Sequence, residues 1–401
     1  MLKLLQYYAK RPYHLLKTGI LQGIPAQFQY AFPNRKLIIT IITGTDGKTT
    51  TSSLLYHILK ESGIKAGLIS TVAAFIGSEE SDTGFHVTSP QPKDMYRFMR
   101  KMVSEGCTHL VLEATSHGAF QYRTWGIKPT FGGLTNIANE HLDYHITYTE
   151  YVKAKISLLA KSKKIFLNED DASLTTIKKL FPKLKYDTYS KSDTVPTKIS
   201  QAIKTRFSES YNQMNARLAV RLAQENGVSD ADIALAIASF PGVPGRMEVV
   251  TEKPCKIIVD FAHTPQGLEA ALTQLRHQKK PGGKLIAVFG CAGLRDRLKR
   301  PVMGKIGSEL ADLAVFTAED PRTEDIWSII RQMKEGIVNT HNKVASVPDR
   351  KEAIRFAIME LASTKDTVVI LGKGHEQSMC YGTKETPWSD VRAVKEILAE
   401  K

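Results

Sequence analysis

The chain has no carboxylate before Asp46, although it runs to 401 residues. Residues 1–36 hold Lys3, Lys10, Arg11, Lys17, Arg35 and Lys36 and no acid. The formal charge is +14, from 55 Lys and Arg against 41 Asp and Glu, so six of the fourteen lie in that opening stretch. Cysteine is scarce: Cys107, Cys255, Cys291 and Cys380 stand singly, which excludes a disulfide framework and any paired-cysteine metal site. A reduced, cytoplasmic chain is the expectation. No apolar run approaches the length of a spanning helix. The short run at residues 4–9 is broken by Lys10, Arg11 and Pro12 and lacks the core and cleavage site of a signal peptide. There is no internal repeat and no low-complexity tract. Hydrophobic content of 42% and charged content of 24% exclude a disordered or fibrous chain.

What is present is an alternation of short, β-branched apolar runs with helical periods. The runs fall at 37–42, 110–112, 165–167, 257–259, 285–289, 313–316 and 368–371. Continuous apolar strands of this kind suit parallel sheets buried on both faces. Helical stretches at 51–61, 93–105, 216–225 and 349–362 separate them, so the pattern predicts a doubly wound α/β chain. Pro241-Gly242-Val243-Pro244-Gly245 is the strongest boundary signal. It divides a basic arm (1–36) and a first domain (37–244) from a second, smaller domain (245–401). A long loop within one sheet is the competing reading of the same segment.

The first strand runs directly into Gly44-Thr45-Asp46-Gly47-Lys48-Thr49-Thr50, followed by a helical period. Glycines let backbone N–H groups approach phosphate oxygens, and the helix dipole adds partial positive charge. In such a loop Lys48 reaches the β- and γ-phosphates and the Thr49 hydroxyl ligates Mg²⁺. The loop is a shortened variant, since Ile42 occupies the position where the usual spacing has a glycine. A magnesium site needs a carboxylate at a neighbouring strand end, and Glu113 closes the run at 110–112. Asn136 to His145 gathers two His and two acids in one loop, which alone reads as a solvated loop or a metal site.

In this order the pieces resemble the Mur ligase family. TGTDGKTTT (43–51), LEATSHGAFQYR (112–123), TNIANEHLDYH (135–145), YVKAKISLL (151–159), PGVPGRME (241–248), VDFAHTPQGLEAAL (259–272), EDPRTED (319–325) and GKGHE (372–376) carry the resemblance. Among its branches the chain is most similar to synthetases that add the third residue of the peptidoglycan stem peptide. The resemblance implies a P-loop-type central ATPase domain followed by a Rossmann-like domain that binds the amino acid. It also implies ATP-dependent amide-bond formation through an acyl phosphate. Phosphoryl transfer to a carboxylate mostly needs positioning and charge neutralisation, which suits a cation-rich site.

The resemblance further implies roles. Gly44, Thr45, Asp46, Gly47, Lys48, Thr49 and Thr50 would hold the phosphates of ATP, with Asn136 and Asn215 on the adenine side and Asp260 on the ribose. Thr49 and Glu113 would hold a first Mg²⁺ and His141 a second, with Arg246 reaching the γ-phosphate. Lys155 matches the lysine that the family carbamylates with CO₂, which requires a neutral amine first. On spacing alone it reads as an ordinary helix-surface lysine, with Lys153 two residues away. The acceptor peptide would meet Thr88, Ser89, Ser116, Gln121 and Arg123, whose planar fork suits a carboxylate. The incoming amino acid would meet Arg295, Asp320, Arg322, Gly372 and Glu376. Arg322 favours a carboxylated side chain, hence meso-diaminopimelate over lysine, whose ammonium it would repel.

Three departures stand against the family pattern. Glu319-Asp320 replaces Asp-Asn and adds negative charge beside Arg322; Leu294 replaces an Asp; Asp46 replaces an Asn in the phosphate loop. Before the phosphate loop there is too little chain for the family's UDP-binding domain, so the acceptor is either a UDP-muramyl peptide held by its sugar and peptide or a non-UDP, lipid-linked one. Lys3, Lys10 and Lys17 are seven apart, so the basic arm predicts either packing on the first domain or a peripheral membrane contact. No nucleic-acid recognition motif is present, and a monomer acting on small molecules is the expectation. Two further functions compete: a related amidating, recycling or folyl-polyglutamate-like ligase, and a degenerate nucleotide-binding scaffold. Lys48, Glu113, His141, Lys155 and Arg246 together weigh against the scaffold.

Overall fold

The computed structural model of the chain describes residues 2–70, 74–76, 79–81, 89–138, 140–338 and 343–400. They form two compact units, residues 1–241 and 242–401.

The first unit is built on an eight-stranded sheet: β1 (Ile38–Thr43), β2 (Ala66–Ile69), β3 (Ala74–Ile76), β4 (Glu79–Ser81), β5 (His109–Glu113), β6 (Phe131–Leu134), β7 (Lys164–Asn168) and β8 (Asp187–Tyr189). Their order is β4-β3-β2-β5-β1-β6-β7-β8. All pairings are parallel except β2–β3 and β3–β4. The chain leaves β1 towards β2 and β5 and later returns to β1's other side with β6, so β1 lies where the winding reverses. Ligands of such sheets bind at the carboxyl ends of strands at that reversal. Register places Ile42 beside Glu113 and Thr43 beside Leu134, which brings the carboxyl ends of three strands to one edge.

The second unit has a six-stranded sheet: β9 (Glu248–Thr251), β10 (Lys256–Asp260), β11 (Leu285–Phe289), β12 (Leu313–Phe316), β13 (Val344–Ser346) and β14 (Thr367–Leu371), in the order β13-β12-β11-β14-β10-β9. Only β9 runs antiparallel. Alternate residues of its central strands feed two cores. Ile258, Ala287, Phe289 and Leu371 lie in one, and Ile257, Ile286, Val288 and Ile370 in the other. Burial on both faces is why these strands read as unbroken apolar runs. A hairpin of β15 (Ser378–Tyr381) and β16 (Lys384–Pro387) follows β14.

The doubly wound α/β expectation holds in both units. The helix after the phosphate loop begins earlier than its periodicity predicts, at Lys48–Glu61, because Gly47 turns the chain in the left-handed region with φ +78°. A side chain there would strike the Asn215 amide, with Cβ 2.1 Å from Oδ1. The helix Ser210–Glu225 also starts before its predicted first residue, since its opening turn is polar and gives no apolar period.

The basic arm is helical from Leu2 to Gln29: Leu2–His14 and Ile24–Gln29 are α-helical and Leu15–Gly23 is π-helical. The wider turn after His14 interrupts the seven-residue spacing by which the sequence aligned Lys3, Lys10 and Lys17 on one face. The arm packs on the first unit. Tyr7 is buried and stacks on Phe120 with ring centres 4.3 Å apart. The indole of Trp125 covers Gly19 and Gly23, where an added Cβ would lie 3.3 and 3.1 Å from it.

Candidate active site

The phosphate loop is held from beneath by the strand-end segment after β6. Asn136 and Asp46 form a reciprocal pair: the Asp46 amide donates to Asn136 Oδ1 at 3.0 Å, and Asn136 Nδ2 donates to the Asp46 carbonyl at 3.2 Å. The Thr135 hydroxyl donates to the same carbonyl at 2.6 Å. Asn136 and Asn215 therefore both sit against the phosphate loop itself, the second beside Gly47. Lys48 curls back so that Nζ donates to the Thr45 carbonyl at 2.7 Å. The Thr49 hydroxyl donates to Glu113 Oε1 at 3.2 Å, with both residues buried. A hydroxyl and a carboxylate oxygen side by side at a phosphate loop are hard donors that suit Mg²⁺, whose remaining positions water and phosphate fill.

Lys155 is not the surface lysine that its spacing describes. It is 2% exposed, its Nζ donates to the Gly44 carbonyl at 2.5 Å and lies 4.4 Å from the centre of the Tyr151 ring. Burial, reinforced by the Lys48 charge, pushes its pKa well below the ordinary lysine value, against the opposing pull of Glu140 and Asp46. Lys153 instead lies half-exposed and pairs with Glu150 at 2.8 Å. The Tyr151 hydroxyl meets the Thr45 hydroxyl at 3.1 Å, tying the same helix to the loop.

His141, in the left-handed region at φ +55°, lies 3.6 Å from Glu140 and packs against His117, ring centres 4.7 Å apart. His145 is completely buried. Its Nδ1 bonds the Tyr7 hydroxyl at 2.9 Å, and Nε2 has no hydrogen-bond partner among the described residues. Burial lowers its pKa to about 3, helped by the charges of His117, His141 and Lys155.

The proposed acceptor residues form one hydrogen-bonded row. Arg123 Nη1 donates to the Ser89 carbonyl at 2.6 Å, Arg123 Nε to Gln121 Oε1 at 2.9 Å, and Gln121 Nε2 to the Tyr144 hydroxyl at 3.0 Å. Ser116 opens the short helix beside them, capped by Thr115. Thr88 lies outside the described residues.

In the second unit Asp260 ends β10. Its two carboxylate oxygens accept from the Met247 and Ala262 amides, each at 2.8 Å, which fixes the segment carrying Arg246. The Arg246 guanidinium lies 4.3 Å from the centre of the Phe261 ring. Burial raises the Asp260 pKa, and the Arg246 charge opposes it.

The carboxyl ends of β12 and β14 carry the amino-acid residues. Asp320 Oδ1 accepts from Lys373 Nζ at 2.9 Å and from the Cys380 amide at 3.0 Å, and Oδ2 lies 3.9 Å from Arg322. Arg322 Nη1 donates to the Gly293 carbonyl at 2.8 Å. Glu376 pairs with the other side of Lys373. Glu319 is buried, and burial raises its pKa to about 7 against the charges of Lys299, Arg350 and Lys373. The added negative charge foreseen beside Arg322 is thus reduced: Lys373 pairs with Asp320, and burial raises the Glu319 pKa. Gly372, at φ +110°, passes so close to the Glu319 carboxylate that a Cβ would lie 2.5 Å from it. Arg295 stands exposed, and Leu294 beside it is exposed at φ +55°. Buried Arg350 pairs with Asp390 at 2.7 Å and donates to the Ala318 and Leu371 carbonyls, fixing both strand ends.

Residue type and spacing missed Tyr151, Thr135, Lys373 and Tyr144. All four sit one to four residues from a residue named from the sequence, so proximity within a motif was the available signal.

Residues 42–238 match the Mur ligase middle domain, and residues 245–374 match the domain described as Mur ligase, glutamate ligase domain. The chain belongs to the Mur ligase family. As such it is an ATP-dependent, amide-bond-forming ligase. It is 35% identical, over 92% of its length and 80% of the other's, to UDP-N-acetylmuramoyl-L-alanyl-D-glutamate–2,6-diaminopimelate ligase 1 of Clostridium acetobutylicum. It is 34% identical, over 92% and 79%, to the UDP-N-acetylmuramyl-tripeptide synthetase of Deinococcus radiodurans. Among solved structures, a 2,6-diaminopimelate ligase of the same kind superposes with a TM-score of 0.60 at 28% identity, covering 94% of this Mur ligase and 82% of that chain. The folylpolyglutamate synthase of Mycobacterium tuberculosis reaches 0.69 at 14% identity, covering 92% and 96%, a likeness of fold.

Proposed function

We propose that this Mur ligase joins meso-diaminopimelate to the D-glutamyl carboxylate of a muramyl-L-Ala-D-Glu acceptor, in peptidoglycan precursor synthesis in the cytoplasm. The acceptor carboxylate attacks the γ-phosphorus of ATP, ADP leaves, and an acyl phosphate forms. The amine then attacks the acyl carbon, loses a proton, and the tetrahedral intermediate expels phosphate. We assign the first unit to ATP and acceptor and the second to the amino acid.

Lys48 and the loop amides hold the phosphates, while Asn136 and Asn215 hold the loop. Thr49 and Glu113 would hold Mg²⁺ and His141 would help hold a second ion, and ions bound there would supply positive charge to offset that of a phosphoryl group. Lys155 is suited to carbamylation: a neutral amine adds CO₂ and releases a proton, so a buried lysine with a lowered pKa becomes an anion beside the loop. Ser89, Ser116, Gln121 and Arg123 orient the acceptor. Arg295, Arg322, Asp320, Gly372 and Glu376 receive the amino acid.

The observation that carries the choice of substrate is Arg322. Lys373 takes Asp320 Oδ1 at 2.9 Å and Arg322 lies 3.9 Å from Oδ2, so the planar fork of Arg322 is held where it can meet a distal carboxylate. The partners in this reading are small molecules, with no nucleic acid, a monomeric chain, and peripheral membrane contact through the basic arm. The chemistry is tested by ¹⁸O transfer. With both oxygens of the acceptor carboxylate labelled, each turnover should place one label in inorganic phosphate. Unlabelled phosphate accompanying peptide formation would rule out the acyl phosphate.

A further inference from the structure

The N-terminal arm buries the wrong residues for an ordinary surface helix. Its inward side is made largely of small or polar groups, Thr18, Gly19, Gly23 and Ala26, which let it lie close on Trp125. Apart from buried Tyr7 and half-buried Leu4 and Leu15, the large apolar side chains of its helices whose exposure is described point outward. Leu5, Leu16, Ile20, Leu21, Ile24 and Phe28 are 61%, 54%, 38%, 63%, 39% and 68% exposed. With Tyr8 and Tyr13 they make eight of the eighteen large apolar side chains exposed among the described residues, all within 28 residues of helix. Exposed apolar side chains concentrated in one segment mark an interaction site.

We propose that this outward face docks on an anionic lipid bilayer. The occupant follows from charge. Lys10, Arg11 and Lys17 are exposed on the same arm, and no carboxylate precedes Asp46. A second copy would bring like charges together across the contact with no arm carboxylate to pair them. An anionic headgroup layer accepts the cations while its acyl boundary accepts the leucines, isoleucines and phenylalanine. No helix among the described residues is long and apolar enough to cross the bilayer, so the contact is peripheral. The inward side joins this surface to the site: Tyr7 bonds His145 and stacks on Phe120, one residue before Gln121. Docking therefore holds the acceptor-binding segment at the membrane surface. The proposal gives a face and a lipid chemistry to the membrane contact in the functional reading, and it does not depend on the ligase chemistry.

Flotation of the full chain with phosphatidylcholine vesicles, and with vesicles also containing phosphatidylglycerol, tests it. The chain should float with the anionic vesicles, more weakly as salt rises. Lys10→Glu/Arg11→Glu/Lys17→Glu should weaken partition on the order of a hundred-fold, from about 1 kcal/mol per basic residue near the surface. Leu16→Ser/Ile20→Ser should weaken it at least roughly ten-fold, since two buried aliphatic chains are lost. These residues are exposed, so both variants should keep wild-type nucleotide binding and turnover. No flotation with anionic vesicles, equal flotation with both kinds, or a dimer that Leu16→Ser/Ile20→Ser dissolves would overturn the proposal. Lost flotation with turnover intact contradicts the docking face alone. Lost turnover with flotation intact contradicts the ligase reading alone.

Discussion

The side-chain nitrogen of Lys155 donates a 2.5 Å hydrogen bond to the carbonyl oxygen of Gly44, the first residue of the phosphate loop. The bond places a buried amine of lowered pKa beneath the loop assigned to ATP.

Folding releases a proton from this lysine, because its native pKa is below its ordinary value. Between those two values the unfolded chain binds more protons, so stability rises with pH and the lysine is a net cost at neutral pH. Lys155→Met should therefore raise stability by roughly 1–3 kcal/mol in denaturant titration while lowering turnover at least ~100-fold. Unchanged turnover would remove Lys155 from the chemistry.

Glu319 has the opposite linkage. Its native pKa lies near 7, above an ordinary value of 4.5, so the folded chain binds the extra proton between them and stability falls as pH rises through that window. Glu319→Gln should flatten this slope and gain on the order of 1–3 kcal/mol above it. Parallel slopes in wild type and variant would show that Glu319 ionises normally.

Tyr7 and His145 join the arm to the first unit. His145 stays neutral in the fold down to about pH 3, against 6.5 for an ordinary histidine, so its contribution is present above 6.5 and is lost as pH falls towards 3. Tyr7→Phe leaves Nδ1 without its partner and should cost about 1–3 kcal/mol at neutral pH, read as a lowered melting temperature. A melting temperature equal to wild type would mean that the arm is not fastened through this bond.

Glu113 accepts from Thr49 where magnesium is assigned. Glu113→Gln should lower turnover roughly 100-fold or more and raise the Mg²⁺ concentration giving half-maximal rate, with partial recovery in excess Mg²⁺. An unaltered Mg²⁺ dependence would place the ion elsewhere.

Much of the site was legible because local sequence encodes local geometry. Strand, glycine turn and helix sit together in the chain, so Gly44 to Thr50 could be read as a phosphate loop from spacing alone. Glu113 could be read from its place at a strand's end. Lys155 could not: nothing within its own helix tells that this position faces Gly44, 111 residues away, while Lys153 faces solvent. Asp320 looked like excess negative charge because Lys373, its partner, arrives from β14 through sheet order that the sequence leaves implicit, and nothing local shows that Glu319 is buried. The arm was misleading in another way. Its regular lysine spacing assumed an α-helix, and the π-helical turn after His14 changes which residues share a face.

The central claim is that Arg322 selects a carboxylated amino acid. The direct measurement is ATP-dependent phosphate release with UDP-muramyl-L-Ala-D-Glu as acceptor, comparing meso-diaminopimelate with lysine in wild type and Arg322→Ala. Wild type should favour meso-diaminopimelate by roughly 100-fold or more in kcat/KM, a difference of about 3 kcal/mol. Arg322→Ala should erase most of that preference through KM while leaving ATP affinity unchanged. Equal use of lysine by the wild type, or a preference that survives in Arg322→Ala, would contradict the account.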